Sequence, residues 1–252
     1  MRIGFIGAGS MASALARGLG EPAVVYDPQS DRSMALAEEL GGRAVGSGAE
    51  VAQAVDVVVL AHKPPQLEEA AEGVAGTAKA IASIVAATPV ERLEGVYPEV
   101  PVYRFVPNIP TEVGRGVLCY VAGTLAAEGP ERELLELLGR CGTVIELDEP
   151  LLEPATALMS CGPAFFAAVV EALADAGVRH GLELAQARRL VVETMAGSAA
   201  FLDANGLDAS GLRSRVATPG GLTEKGLELL EERGLREALD GAVDLIVGTA
   251  AR

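Results

Sequence analysis

Met1-Arg-Ile-Gly-Phe-Ile-Gly-Ala-Gly-Ser-Met-Ala-Ser-Ala-Leu-Ala16 decides the fold of this chain. Residues 2–6 read as a short buried strand and residues 11–18 as a helix rich in Ala and Leu. Between them Gly7-Ala8-Gly9-Ser10-Met11-Ala12 fits the pattern G-x-G-x-x-G/A. Gly7 permits a tight turn, Gly9 lets the backbone approach a pyrophosphate, and Ala12 lets helix and strand pack closely. Free N–H groups of Ser10 and Met11 at the helix start would face the phosphates. Glycines also serve ordinary turns. The reading rests on strand, turn and helix coming in the order the motif requires.

Working outward, residues 23–26, 43–45 and 56–61 read as further strands, separated by helical stretches at 30–40 and 50–54. In the second helix Ser30 is a plausible cap and Gly41 a stop. Residues 67–75, 80–86 and 102–105 continue the alternation, and strands at 116–121 and 143–147 flank a helix at 131–140. Strands this apolar, alternating with helices, predict a Rossmann-type, mostly parallel sheet of about eight strands covered on both faces. The pattern changes at Glu149-Pro150, which predicts an α/β domain over 1–148 and an all-helical domain over 149–252. Residues 164–176 are apolar on most of their circumference, and helices follow at 185–202, 223–232 and 235–247. A helix apolar nearly all round is buried in a larger core or in a partner subunit. A homodimer or higher homo-oligomer built through the second domain is expected; a self-contained bundle is the alternative.

Of 252 residues half are hydrophobic but only 4% aromatic, with no Trp, so packing must rest on Ala, Val and Leu. A net charge of −15 argues against nucleic acid or an anionic membrane as partner. It leaves room for an anionic small molecule, which backbone N–H groups can bind locally. Cys119, Cys141 and Cys161 show no C-x-x-C spacing and the histidines are only His62 and His180, so no metal site is expected. The apolar run 164–174 is interrupted by Glu171 and is too short to span a bilayer. The start lacks the pattern of a secretory leader, and a cytoplasmic protein is expected.

Asp27 lies about twenty residues after Gly7 at the end of the second strand, where an acid accepts the ribose hydroxyls of NAD. A 2′-phosphate would be repelled there unless Arg32 turned in to meet it; an Asp-Pro turn is also a common way to end a strand. Ala61-His62-Lys63-Pro64 follows the fourth strand at the carboxyl edge of the sheet, where ligands of open α/β folds bind. Lys63 fits a cofactor oxygen or a solvated loop equally well. In Arg104-Phe-Val-Pro-Asn-Ile-Pro110 two prolines stiffen a loop around Asn108, whose amide can donate and accept, or can merely cap a turn.

In Val216-Ala-Thr-Pro-Gly-Gly-Leu-Thr-Glu-Lys-Gly226 the turn Thr218-Pro-Gly220-Gly221, with Leu222 after it, leads into a helix opened by Thr223, whose Leu227 and Leu230 are expected on the buried side. The N–H groups of residues 221–223 would form a carboxylate-sized anion site. The Thr223 hydroxyl can give a hydrogen bond there or can simply cap the helix. A full capping box would want Glu or Gln at 226, where Gly226 stands.

Taken together these stretches resemble pyrroline-5-carboxylate reductase. The resemblance runs along the whole chain: Ile6-Gly-Ala-Gly-Ser-Met11, Lys63-Pro64, Arg104-x-x-Pro-Asn-x-Pro110, Gly162-Pro-Ala-Phe165, and Val216-x-Thr-Pro-Gly-Gly-x-Thr223 with Gly226-Leu227. The chain departs from the family pattern at His62 (usually Val), at Ser160-Cys161 and Phe165 (usually Gly-Ser and Tyr), at Ala87 (usually Gly) and at Arg213-Ser-Arg215 before Val216 (usually a Lys-Asp-x-Val run). The resemblance implies NAD(P)H-dependent reduction of a cyclic imine, without a metal. It places the nicotinamide near Lys63 and Asn108, the substrate carboxylate on the N–H groups of Gly221 to Thr223, and the Thr223 hydroxyl on the imine nitrogen. The family mostly favours NADPH but includes users of NADH, so Asp27 and the family preference point in opposite directions. A rival with the same first motif is a 3-hydroxyacid dehydrogenase of the 6-phosphogluconate type. Its acid/base lysine lies in mid-domain, whereas Lys225 is the only lysine after residue 79. A cofactor-binding regulator without turnover is the third reading.

Overall fold

The structure, a computed structural model, describes residues 1–250 and divides into two compact units, Met1–Ser160 and Cys161–Arg252. In the first unit β1 (Ile3–Ile6), α1 (Ser10–Leu19), β2 (Val24–Tyr26), α2 (Ser30–Glu39), β3 (Arg43–Ala44), α3 (Gly48–Ala54) and β4 (Val57–Leu60) give the first three strand–helix repeats. They are followed by α4 (Leu67–Ala71), β5 (Ile81–Ser83), α5 (Val90–Val96), β6 (Val102–Pro107), β7 (Gly116–Ala122), α6 (Glu131–Leu138), β8 (Gly142–Glu146) and α7 (Leu152–Met159). The second unit holds α8 (Gly162–Arg179), α9 (Leu184–Ala204), α10 (Ala209–Val216), α11 (Leu222–Glu232) and α12 (Leu235–Ala250).

The eight strands form one sheet in the order β3-β2-β1-β4-β5-β6-β7-β8, and every neighbouring pair is parallel except β6 with β7. The order reverses at β1, so β1 and β4 lie side by side with diverging connections, leaving a crevice at their carboxyl ends. β1 and β4 are buried at every position because helices cover both faces. On one face Phe5, Leu15, Val25, Tyr103 and Leu118 form the core; on the other Ile6, Val58, Leu60, Ile81 and Tyr97 do. The antiparallel step is held by a stacked pair across it, Phe105 on Tyr120, with ring centroids 5.3 Å apart.

Three helices were not expected from the sequence. α5 buries only Leu93 and α10 buries nothing, so neither carries an apolar period. α7 follows Pro150 directly. Its Leu152 is buried with Cys119 and Val121 of β7, which is why the first unit extends past the expected division at 148 and closes at Ser160. Ser30 is the first helical residue of α2, not its cap; Gln29 stands at that position, and its N–H reaches Asp27 Oδ1 at 2.8 Å.

In the second unit α8 and α9 pack against each other around Gly177, where a Cβ would come within 3.2 Å of Leu182 and Ala187. Much of the apolar circumference of α8 stays open: Phe166 is 60% and Leu173 54% exposed. Leu230, expected on the buried side of α11, is 47% exposed, and Leu227 is half-buried. The helical run Glu149–Arg179 counts 31 residues and holds an 18-residue window of mean hydropathy 1.7, long and apolar enough by composition to cross a membrane. α7 and α8 break at Ser160-Cys161, and Leu152 near the start of the run packs on the sheet.

Candidate active site

The turn between β1 and α1 is built as the motif demands. Gly7 has φ +106°, and a Cβ there would lie 2.6 Å from the carbonyl carbon and oxygen of Ala61. Only glycine lets β1 and β4 approach this closely. The Gly7 N–H donates to Tyr26 O at 2.7 Å, which ties the turn to β2. Gly9 caps α1 with extended backbone and no side-chain partner, and a Cβ on it would meet nothing within 4 Å. The first turn of α1 therefore opens outward with unspent N–H groups at Ser10 and Met11, a cradle suited to a pyrophosphate. Ala12, 1% exposed, closes the helix onto the sheet.

Three cavities surround this turn. One of about 490 Å³ is lined by Gly9, Asp27, Arg32, Ala61 and Lys63. A second of about 620 Å³ adds Ala8 and Ser10 on the α1 side, and a third of about 220 Å³ lies against Tyr26, Ser47 and His62. The Gly-turn residues Gly7, Ala8, Gly9 and Ser10 thus share cavity walls with Asp27, Arg32, Ala61 and Lys63. Met11 stands beside them at the helix start.

Asp27 is fixed from two sides: Oδ2 accepts the Ala8 N–H and Oδ1 the Gln29 N–H, each at 2.8 Å. Lys63 is exposed and forms no ion pair among the described residues. His62 Nδ1 lies 2.9 Å from Lys63 O, and its Nε2 is buried without a partner. Burial pushes the imidazole pKa down, against smaller raising effects of Lys63 O and Glu68, so the ring is neutral at pH 7.

Asn108 differs from the expectation of a nicotinamide contact. It is 6% exposed; its Nδ2 donates to Met159 O at 2.8 Å and its Oδ1 accepts the Val117 N–H at 2.9 Å. Both ends of the amide join the β6–β7 connection to α7 and the start of β7, so Asn108 positions the loop. The short 3₁₀ stretch Ile109–Val113 follows it.

Two residues behind this edge were not singled out from the sequence. Arg104 in β6 is 8% exposed and forms an ion pair with Glu149, whose other oxygen accepts the Val90 N–H at 3.2 Å. Burial pulls the guanidinium pKa down, with Glu153 opposing. The pair pins the turn after β5, where Ala87 takes φ +49°, a left-handed conformation that glycine holds with less strain. The only signal in the sequence was Glu149 beside Pro150. Glu149→Gln keeps an acceptor for Val90 but removes the charge facing Arg104. It is expected to cost about 1–2 kcal/mol, read as a lower urea midpoint with unchanged slope.

In the second unit the turn before α11 is held by its own bonds. The Gly221 N–H donates to Thr218 O at 2.9 Å, and the Gly220 N–H donates to Glu224 Oε2 at 2.6 Å. Gly221 is the N-cap, with no side-chain cap. Two expectations change. Thr223 does not cap the helix, and of the three N–H groups expected to bind an anion that of Gly221 is already spent. Those of Leu222 and Thr223 remain. Leu222 is 89% exposed and Thr223 is exposed. Glu224, four residues after the glycine it bonds, was missed because side-chain closure of a glycine turn has no sequence period.

Comparison with known proteins covers both units. Residues 149–251 match the model of the pyrroline-5-carboxylate reductase dimerisation domain, and residues 2–88 that of the coenzyme F420-dependent NADP oxidoreductase family. The chain is 32% identical to pyrroline-5-carboxylate reductase of Aquifex aeolicus over 94% of its own length and 91% of the relative's. It is 34% identical to pyrroline-5-carboxylate reductase 3 of Macaca fascicularis, over 96% and 92%. Among solved structures, pyrroline carboxylate reductase of Plasmodium falciparum with NADP bound superimposes with a TM-score of 0.87 at 27% identity, covering 99% of this chain and 97% of that one. The reductase of Coxiella burnetii gives 0.89 at 27% identity, with the same coverage.

Proposed function

Because this chain belongs to the pyrroline-5-carboxylate reductase family, we propose that it reduces 1-pyrroline-5-carboxylate to L-proline, an NAD(P)H-dependent oxidoreductase step on a C=N bond that ends proline biosynthesis. The observation that carries the site reading is the uncapped start of α1 at Gly9, open to cavities walled by Asp27, Arg32, Ala61 and Lys63. That cradle fits a dinucleotide: Gly7, Ala8, Gly9, Ser10 and Met11 would hold the pyrophosphate, and Lys63 would meet a cofactor oxygen near the sheet edge. When bound, the reduced nicotinamide supplies the hydride that adds to the imine carbon.

On the substrate side the N–H groups of Leu222 and Thr223 bind the carboxylate. Thr218, Gly220 and Gly221 set their direction through the bonds within the turn. The Thr223 hydroxyl donates to or accepts from the imine nitrogen, and it is free to do so because it caps nothing. A protonated imine is already a good hydride acceptor, so the residues contribute alignment rather than strong acid catalysis. No metal takes part in this scheme, and no membrane or nucleic acid is a partner. The dimerisation match and the open apolar face of α8 support a homo-oligomer; the finer reading is a homodimer, or multiples of it, formed through the helical unit in the cytoplasm.

The test is direct. Purified protein given 1-pyrroline-5-carboxylate with NADH, and separately with NADPH, is expected to consume reduced nicotinamide and form proline with at least one of them. Absence of proline with both cofactors would sink the reading.

A further inference from the structure

We infer that this chain prefers NADH to NADPH, with Asp27 as the residue that sets the preference; the inference rests on the dinucleotide reading of the Gly7–Ala12 turn. Asp27 lines the cavity together with Gly9 and Arg32. Its two oxygens are held by the N–H groups of Ala8 and Gln29, both at 2.8 Å. A carboxylate is acceptor-only with about four lone-pair directions. With one direction on each oxygen spent, one or more remains on each for a neighbouring pair of hydroxyls, which is what an unphosphorylated ribose presents.

A 2′-phosphate would meet the opposite conditions. It needs donors and positive charge, and the connection from β2 to α2 has spent half of its backbone N–H groups, leaving those of Ser30 and Asp31. Pro28 has no N–H, the Gln29 N–H is on Asp27, and the Arg32 N–H is on Gln29 O at 2.9 Å. Asp31 adds a second carboxylate in the first turn of α2. Arg32 is the one cation on that stretch, against Asp27 and Asp31. Nor can Asp27 swing aside to make room, because turning it away strips the Ala8 N–H of its acceptor at the cofactor turn itself. The same two bonds that order the turn hold the repelling charge in place.

The experiment measures binding without the imine, by calorimetric titration of the whole protein with NADH and with NADPH. Wild type is expected to bind NADH about tenfold or more tightly than NADPH. Asp27→Ser is expected to erase or reverse that ratio. Asp27→Asn, which keeps an acceptor for the turn but drops the charge, is expected to tighten NADPH and guards against a variant that merely fails to fold. The inference is overturned if wild type binds NADPH as tightly as NADH, or if neither Asp27 variant moves the ratio. Binding of neither dinucleotide overturns it together with the cofactor site. NADH-selective binding with no imine turnover upholds it while the reductase reading fails.

Discussion

Thr223→Ala is expected to lower imine-dependent oxidation of NAD(P)H by about tenfold to a hundredfold while leaving cofactor affinity and thermal stability unchanged. A hydrogen bond made to the reacting nitrogen, and strengthened as charge shifts during hydride addition, is worth about 1.5–3 kcal/mol. The usual objection to such a test is that a threonine at a helix start is a cap, whose loss would destabilise the protein by about 1 kcal/mol. Here that objection is removed by geometry. Gly221 occupies the cap position, the Gly220 N–H is satisfied by Glu224, and Thr223 is an exposed residue within the first turn. Alanine is a better helix former than threonine, so the fold should not suffer. Thr223→Ser restores the hydroxyl and should recover most of the rate. Full activity in the alanine variant would mean that Thr223 plays no part in the reaction.

Gly18→Ala is expected to be a strongly damaging small substitution in the first unit, costing about 3 kcal/mol. A Cβ at Gly18 would stand 2.0 Å from Thr111 O and 3.1 Å from Cys141 Sγ. The obstructing atom is backbone, in the 3₁₀ stretch that follows Asn108, and the Thr111 side chain is fully buried, so neither side can yield cheaply. To fit the methyl, α1 must lift off that stretch, and the Gly9 end of α1 moves with it. Cofactor affinity should therefore fall along with the denaturation midpoint, although Gly18 lies at the far end of the helix from the dinucleotide. An unchanged midpoint would show that α1 and the 3₁₀ stretch do not pack as described.

Much of the first unit was legible in the sequence because its information is local. An apolar strand, a glycine turn and an Ala-rich helix occupy consecutive residues, and strands such as β2 and β4 were marked by an unbroken apolar run. What escaped depended on partners distant in the chain or on elements without an apolar face. Asn108 looks like a ligand until Met159 and Val117 are seen to take both ends of its amide. Arg104 is a motif residue without a visible partner until Glu149 is found beside it. α10 buries no residue, so no hydrophobic period announces it. On α11 the expectation of a buried Leu230 failed for a related reason: a helical stripe shows that something covers it, without showing that the cover belongs to the same chain.

The bare side of α8, with Phe166, Val169 and Leu173 in the open, makes the amount of protein present a thermodynamic variable. Anything that associates only with the native state draws the folding equilibrium toward it by mass action, and for a chain that assembles with copies of itself that ligand is the protein itself. The melting temperature then rises with concentration, and a stability measured in dilute solution is not the one that operates where the protein is abundant. Substitutions on α8 that disturb nothing within one chain can still unfold it.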